Sequence, residues 1–160
     1  MTRLRADGRR FRVRAAGVAI RDGRVLVCRA EHDNYWLLPG GGVDPHEASD
    51  CAVVREFREE IGADVRTGRC LWCVENFFTL DGAEHHEVGF VWEVLLPSDF
   101  AHFGPASFLG HDTLEGLRIA SVWEWWPLDR LREIRLLPSF LADGLADPPL
   151  ATQFLVHRDT

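Results

Sequence analysis

The stretch that decides the fold reads PGGGVDPHEASDCAVVREFREEIGA and spans residues 39–63. Its glycine run, residues 40–42, favours a close backbone approach over the interior of a helix or strand. A helix is predicted from about residue 46 to residue 61. Pro45 suits a helix start and Gly62 suits a C-terminal cap. The segment therefore places a glycine-rich loop directly before a helix.

The predicted helix has one apolar side and one acidic side. At about 100° per residue, one side carries Cys51, Val54, Phe57 and Ile61, and the other carries Ala52, Glu56, Glu59 and Glu60. The apolar side is expected to pack against the core, which turns the three glutamates away from it. Like charges at this spacing repel, whereas a hard divalent cation prefers clustered carboxylates. The pattern indicates a metal site suited to phosphoryl or pyrophosphoryl chemistry, and the alternative is a solvated acidic helix face.

This stretch resembles the signature of the Nudix hydrolase family. That signature is Gly, five residues, Glu, seven residues, then Arg-Glu-bulky-x-Glu-Glu-x-Gly-bulky, and its fixed positions are matched here from Gly41 onward. Ala63 is smaller than the usual final residue, and His46 stands where many relatives carry Gly. The resemblance extends loosely over about residues 12–145. It implies an α/β fold, a Nudix-type α/β/α sandwich with a mixed central sheet. The chain length predicts a single domain over residues 1–160, and the polar residues 1–8 are expected to be disordered.

The resemblance also implies which residues carry the chemistry. Glu56 and Glu60 are the main expected ligands of Mg²⁺ or Mn²⁺, and the backbone carbonyl of Gly41 is a further ligand. Glu59 is either another ligand or the base that activates the attacking water. All three glutamates are therefore the expected catalytic residues.

Two further residues of the signature are expected to give structural support. Glu47 and Arg55 should form a salt bridge that fastens the loop to the helix. Four residues outside the signature are candidates for substrate binding, namely Tyr35, Trp36, Glu87 and Glu115. In this family an acid from a distant loop sometimes acts as the base. Asp99, Asp112 and Glu115 are the candidates in residues 97–115, a polar stretch that is predicted to be a loop.

The resemblance implies a metal-dependent pyrophosphohydrolase that cleaves a nucleoside diphosphate linked to another moiety, by attack of activated water on phosphorus. No Pro follows in residues 77–80, as the ADP-ribose branch would want, and the single tyrosine, Tyr35, is not placed as the diadenosine-polyphosphate branch would want. The main alternative is a non-catalytic, ligand-sensing or regulatory domain on the same fold. An isoprenyl diphosphate isomerase would need a cysteine placed in the site.

Composition narrows the function classes. The chain has 160 residues, 46% of them hydrophobic, and a formal net charge of −7. That charge disfavours a stable duplex nucleic-acid partner, because such binding needs a basic face. No apolar run is long enough to cross a membrane. A cytoplasmic protein with a small-molecule substrate and no membrane partner is expected, and a homodimer is compatible with the sequence. All 18 basic residues are arginine, which excludes a lysine nucleophile.

Cys70 and Cys73 have the spacing of a redox or zinc pair. No second pair accompanies them, and they fall in a predicted strand, residues 65–80, where positions three apart point to opposite faces. Buried structural thiols are therefore the expected interpretation.

Overall fold

The computed structural model describes residues 4–114 and 116–159. The helices in this part of the chain are α1 (Ser49–Ile61), a 3₁₀ helix (Leu128–Glu133) and the single turn α2 (Leu141–Gly144). The strands are β1 (Leu4–Ala6), β2 (Arg9–Arg21), β3 (Arg24–Ala30), β4 (Trp36–Leu37), β5 (Gly40–Gly42), β6 (Arg66–Leu80), β7 (Ala83–Leu95), β8 (Phe108–Leu114), β9 (Leu117–Pro127), β10 (Leu136–Leu137) and β11 (Gln153–Asp159).

The strands form a mixed sheet in the order β10-β4-β3-β2-β7-β6-β11, with β9 beside β3 and β8 outside β9. Three pairs are parallel, namely β2 with β7, β4 with β10 and β6 with β11. The remaining pairs are antiparallel. The predicted mixed central sheet is therefore confirmed.

Strand alternation divides the core between the two faces of the sheet. Ala15 of β2 packs with α1, whereas the next residue, Ala16, packs in a second cluster with Leu141 of α2 and Leu131 of the 3₁₀ helix. Successive residues of a strand point to opposite faces, so one strand supplies both clusters. The result is the predicted α/β/α layering.

Helix α1 ends where predicted but begins three residues later. His46 has a φ of 64° and Ala48 is extended, which keeps the segment before Ser49 out of the helix. At the other end Gly62 adopts a left-handed φ of 66°, and its backbone N–H donates to the carbonyl of Arg58 at 3.0 Å. This is the glycine cap that the sequence predicts.

The inward face of α1 differs from the predicted one. Phe57 is fully buried as expected, but Cys51 is exposed and Ala52 is fully buried. The cause lies in β2, where Gly17 has no side chain and leaves room for Val53 and Phe57. The helix packs against β2 at this position, and its buried residues are Ala52, Val53, Phe57 and Glu60.

Two other segments differ from expectation. The predicted polar loop over residues 97–115 contains β8, which pairs with β9 from Phe108 onward. The predicted disordered lead contains β1, which pairs with β2, followed by a turn at Asp7 and Gly8. Residues 1–3 of that lead lie outside the described residues. No helix in the described part of the chain is both long and apolar enough to cross a membrane.

Candidate active site

The glycine loop brings backbone against a carboxylate. Strand β5 pairs with β2, with Gly41 opposite Ala15. A Cβ added at Gly41 would collide with the carboxylate of Glu56, and one added at Gly40 would collide with the backbone of Ala15. Glycine is therefore required at both positions, and the backbone of Gly41 lies directly beside Glu56.

Arg55 ties the loop to the helix. Its Nε donates to Oε1 of Glu47 at 2.7 Å and its Nη2 donates to Oε2 of Glu47 at 2.9 Å, while Nη2 also donates to the carbonyl of Gly42 at 2.9 Å. Its Nη1 donates to Oε1 of Glu56 at 2.9 Å and to Oε2 of Glu59 at 3.3 Å. Because Glu47 also accepts from the backbone N–H of Asp44, the loop before α1 is held at several points.

Replacing Arg55 by lysine is expected to lower the free energy of unfolding by about 1–3 kcal/mol. Lysine cannot reproduce the two-pronged contact with Glu47, and hydrogen bonds to charged groups contribute about this much. Urea denaturation of parent and variant measures the difference. Arg58→Lys on the same helix is the control, because Arg58 is 65% exposed in its contact with Asp64. An equal loss in both variants would contradict the assigned role of Arg55.

The same contact predicts a pH dependence for this difference. The hydrogen bond from Arg55 holds the pKa of Glu47 below its ordinary value. A lowered carboxyl pKa stabilises the folded state above the unfolded-state pKa, and that contribution disappears as the pH falls through the lowered value. The difference in the free energy of unfolding between the parent and Arg55→Lys should therefore become smaller as the pH falls.

Glu60 is the buried member of the acidic face, with 6% of its surface exposed. Its pKa is raised well above the ordinary value, first by burial and then by the charges of Glu56 and Asp112 and a hydrogen bond with Glu56. Glu59 differs, since its side chain is 58% exposed and turned toward Arg55. The structure thus brings Glu56 and Glu60 together and leaves Glu59 at the rim.

These groups fit a hard divalent cation. Glu56 and Glu60 are neighbouring carboxylates beside the backbone of Gly41, and oxygen donors of this type are what Mg²⁺ and Mn²⁺ prefer. An unpaired buried carboxylate is costly, and a bound cation would remove that cost. Within residues 4–114 and 116–159, no three His, Cys, Asp or Glu side chains are already arranged around one metal position. Glu59 would have to leave Arg55 to join the other two.

Strand β8 carries a further acid to this site. The charge of Asp112 contributes to the raised pKa of Glu60 and of the nearby thiol of Cys28. Gly110 of the same strand lies against the backbone of Glu60, where a Cβ would meet the Glu60 carbonyl oxygen at 2.9 Å. The strand explains why Asp112 reaches the site. Glu115, the other candidate from this stretch, lies outside the described residues.

A pocket opens on the opposite face of the sheet, toward α2. Its polar lining is Arg14, Asn76 and Glu87, and its apolar wall includes Leu137 and Phe140. Asn76 is 5% exposed, and its Oδ1 is buried without a hydrogen-bond partner among the described residues. Asn76 was not among the predicted site residues, although a polar residue at an inward position of a strand was a signal available in the sequence.

The predicted substrate residues have different surroundings. Glu87 lines the pocket, is 5% exposed and accepts a hydrogen bond from Nε of Arg12 at 2.5 Å. Burial and the charge of Asp33 raise the pKa of Tyr35, and Arg12 lies close enough to oppose that shift. Trp36 instead packs on the core cluster of the α2 side. The Tyr35 ring lies 5.9 Å from the guanidinium of Arg135, and Trp36 is only partly buried, so the substrate-binding role of both residues stays a prediction.

Comparison with known proteins finds the same signature family. The sequence model of the NUDIX domain matches residues 11–145. Diphosphoinositol polyphosphate phosphohydrolase 3-alpha from Mus musculus is 38% identical over 73 residues, which are 43% of this chain and 44% of that protein. The chain therefore spans less than half the length of this curated relative.

Solved structures share the architecture. The E. coli ORF135 protein matches with a TM-score of 0.56 and 22% identity, over 89% of this chain and 93% of that one. An ADP-ribose pyrophosphatase from Streptococcus suis matches with a TM-score of 0.53 and 18% identity, over 91% of this chain and 98% of that one. At these identities the likeness concerns the fold.

Proposed function

The chain belongs to the NUDIX domain family, and on that premise we propose that it is a metal-dependent pyrophosphohydrolase acting on a nucleoside diphosphate linked to another moiety. The observation that carries the proposal is the carboxylate of Glu60, buried beside Glu56 and the glycine loop. A buried carboxylate destabilises the folded protein when no positive charge neutralises it. Its presence here therefore favours a role in binding a cation. The alternative, a solvated acidic helix face, would leave Glu60 exposed.

In the proposed mechanism Glu56, Glu60 and the carbonyl of Gly41 would hold Mg²⁺ or Mn²⁺. The bound cation would neutralise charge on the phosphate oxygens and lower the pKa of a water molecule. Glu59, exposed at the rim, takes the proton from the attacking water. A new P–O bond forms to the water oxygen, the bridging P–O bond breaks, and the leaving phosphate takes a proton from solvent. Arg55 keeps Glu59 oriented toward the loop.

A substrate screen tests the proposed activity. Nucleoside diphosphate derivatives are incubated with the full chain in Mg²⁺ and in Mn²⁺, and phosphate is measured after coupling to a phosphatase. Diphosphoinositol polyphosphates join the panel because the Mus musculus relative carries that name. Metal-dependent turnover of at least one compound is expected. Binding of a nucleotide without turnover of any compound would favour the regulatory alternative.

We propose that the small pocket on the α2 side, about 30 Å³, seats a single donor group of the substrate, remote from the scissile bond. Asn76 offers a buried acceptor without a partner, and Glu87 offers a second acceptor, so the pocket favours a group that presents N–H or O–H donors. Arg14 lies between the two sites, since it lines the pocket and its charge also reaches Glu60. A diphosphate would be drawn past Arg14 toward the carboxylates.

Asn76→Leu is expected to raise KM by about 10-fold or more with little change in kcat. Losing a buried hydrogen bond costs about 1–3 kcal/mol, and a contact equal in ground and transition state affects KM alone. Steady-state kinetics on the best substrate of the screen measures both constants. Glu84→Gln, at an exposed ion pair with Arg9, is the control and should match the parent. A fall in kcat at unchanged KM would contradict the binding role of the pocket.

A further inference from the structure

Strand β6 contains an irregularity at its two cysteines. In its pairing with β7, Cys70 lies opposite Trp92, Trp72 lies opposite Val91, and Cys73 lies opposite Phe90. Leu71 is therefore an extra residue between Cys70 and Trp72. An inserted residue of this kind is a β-bulge, and it changes which side chains share a face.

The bulge places both thiols on one face. Leu71 and Trp72 are consecutive, yet both are buried in the core cluster of the α2 side. Cys70 and Cys73 flank them, are half-buried, and have β7 partners that are two positions apart. Residues two apart on a strand point the same way, so the two cysteines project together from the other face. The expectation that they point to opposite faces is wrong, because it assumed an uninterrupted strand.

The sulfur of Cys70 lies close to the peptide group that joins Trp72 to Cys73. Its Sγ lies 3.5 Å from the carbonyl oxygen of Trp72, the residue directly before Cys73. The thiols also interact electrostatically, since Cys73 contributes to the raised pKa of Cys70 after burial, the larger cause. The remaining two cysteines form no such pair with them, because Cys51 lies exposed on α1 and Cys28 lies on β3.

The spacing of the pair selects its chemistry. The β7 partners of the two cysteines are two residues apart, about 6.6 Å at twice the rise per residue, and side chains that project in parallel from opposite those partners keep their Cβ atoms at that spacing. A disulfide needs Cβ atoms about 3.5–4.5 Å apart. A metal ion that bridges two sulfurs spans about 4.6 Å when each metal–sulfur bond is about 2.3 Å. The side chains can reach the sulfur spacing of a metal site by inward rotation, whereas a disulfide requires the backbone of β6 to move.

We propose that Cys70 and Cys73 form a dithiolate site for a soft, thiophilic metal ion of the Cu(I) class. Thiolate sulfur selects such ions over the hard cations that carboxylates hold, so this site and the acidic site on α1 take different metals. On binding, both S–H bonds break, two protons pass to solvent, and two metal–sulfur bonds form without change in oxidation state. The site does not depend on the pyrophosphohydrolase activity.

Competition with a coloured Cu(I) chelator tests the site. The reduced full chain is titrated without oxygen, and the parent is expected to withdraw one Cu(I) per chain. Cys70→Ser and Cys73→Ser should each weaken binding by at least about 10²-fold, since either change leaves a single thiolate. Cys51→Ser is the matched control, because that thiol is exposed but has no neighbour, and it should bind as the parent does.

A measurement on the parent supplements the variants. X-ray absorption of the Cu(I) complex should show two sulfur neighbours, which is independent of how well any variant folds. Retention of parental affinity in both Cys70→Ser and Cys73→Ser, or its loss in Cys51→Ser, would overturn the proposal. So would a Cys70–Cys73 disulfide formed in the folded protein with a small-molecule disulfide as oxidant, because it would show that the Cβ atoms lie closer together than the pairing with β7 places them.

Discussion

Glu60→Gln is expected to lower kcat by at least about 10²-fold while leaving the fold intact. Glutamine has the shape of glutamate but lacks the charge that would hold a cation against the developing charge of the transition state. The measurement is steady-state phosphate release in saturating Mg²⁺ on the best substrate of the screen. Unchanged turnover would remove Glu60 from the site.

The stability of this variant separates catalysis from folding. Burial and neighbouring acids raise the pKa of Glu60, so its charged form destabilises the folded protein above the unfolded-state pKa. The neutral glutamine removes that cost, and the metal-free variant should melt no lower than the parent at neutral pH. Glu59→Gln offers a comparison on the same helix, because the Glu59 side chain is 58% exposed. This variant should lose the proposed base while the buried pair of Glu56 and Glu60 stays unchanged.

Millimolar Mn²⁺ or Mg²⁺ is expected to raise the melting temperature by about 5–10 °C. A ligand that binds only the folded state adds about 2.7 kcal/mol at 100 times its Kd, and each kcal/mol is worth about 2–4 °C in a chain of this size. Mn²⁺ should act at lower concentration than Mg²⁺, following the general affinity order. Thermal melts across a metal titration, with reversal by a chelator, measure the effect.

A double variant identifies the groups responsible. Glu56→Gln with Glu60→Gln should show no metal-dependent shift, whereas Glu84→Gln, at an exposed ion pair with Arg9, should keep the full shift. If the parent gains nothing from Mn²⁺, or the double variant gains as much as the parent, these carboxylates do not hold the cation. The regulatory alternative would then be preferred.

Features fixed by local sequence were predictable. The end of α1 follows from Gly62, and the close approach at Gly41 follows from the glycine run, because both depend on backbone conformations that few other residues adopt. The spacing of Glu56 and Glu60 on one helix likewise places them together without reference to the rest of the chain.

Features fixed by distant contacts were not predictable. The inward face of α1 depends on Gly17, a residue of β2 far away in the sequence. Strand β8 carries polar side chains and becomes a strand by pairing with β9. The bulge at Leu71 exists only in the pairing of β6 with β7. Asn76 acquires its setting from α2 and β7, which its own segment does not reveal.

On the proposed function, the contacts of Arg55 have a consequence for how the metal would exchange. Its guanidinium already pairs with the carboxylates of Glu56 and Glu59 before any metal ion binds. An incoming ion must compete with that resident partner for Glu56, which weakens its net affinity. In return the loop keeps its shape when the ion departs, because the Glu47 contact is untouched. Ion exchange can therefore proceed without refolding, unlike in domains whose folding depends on the metal.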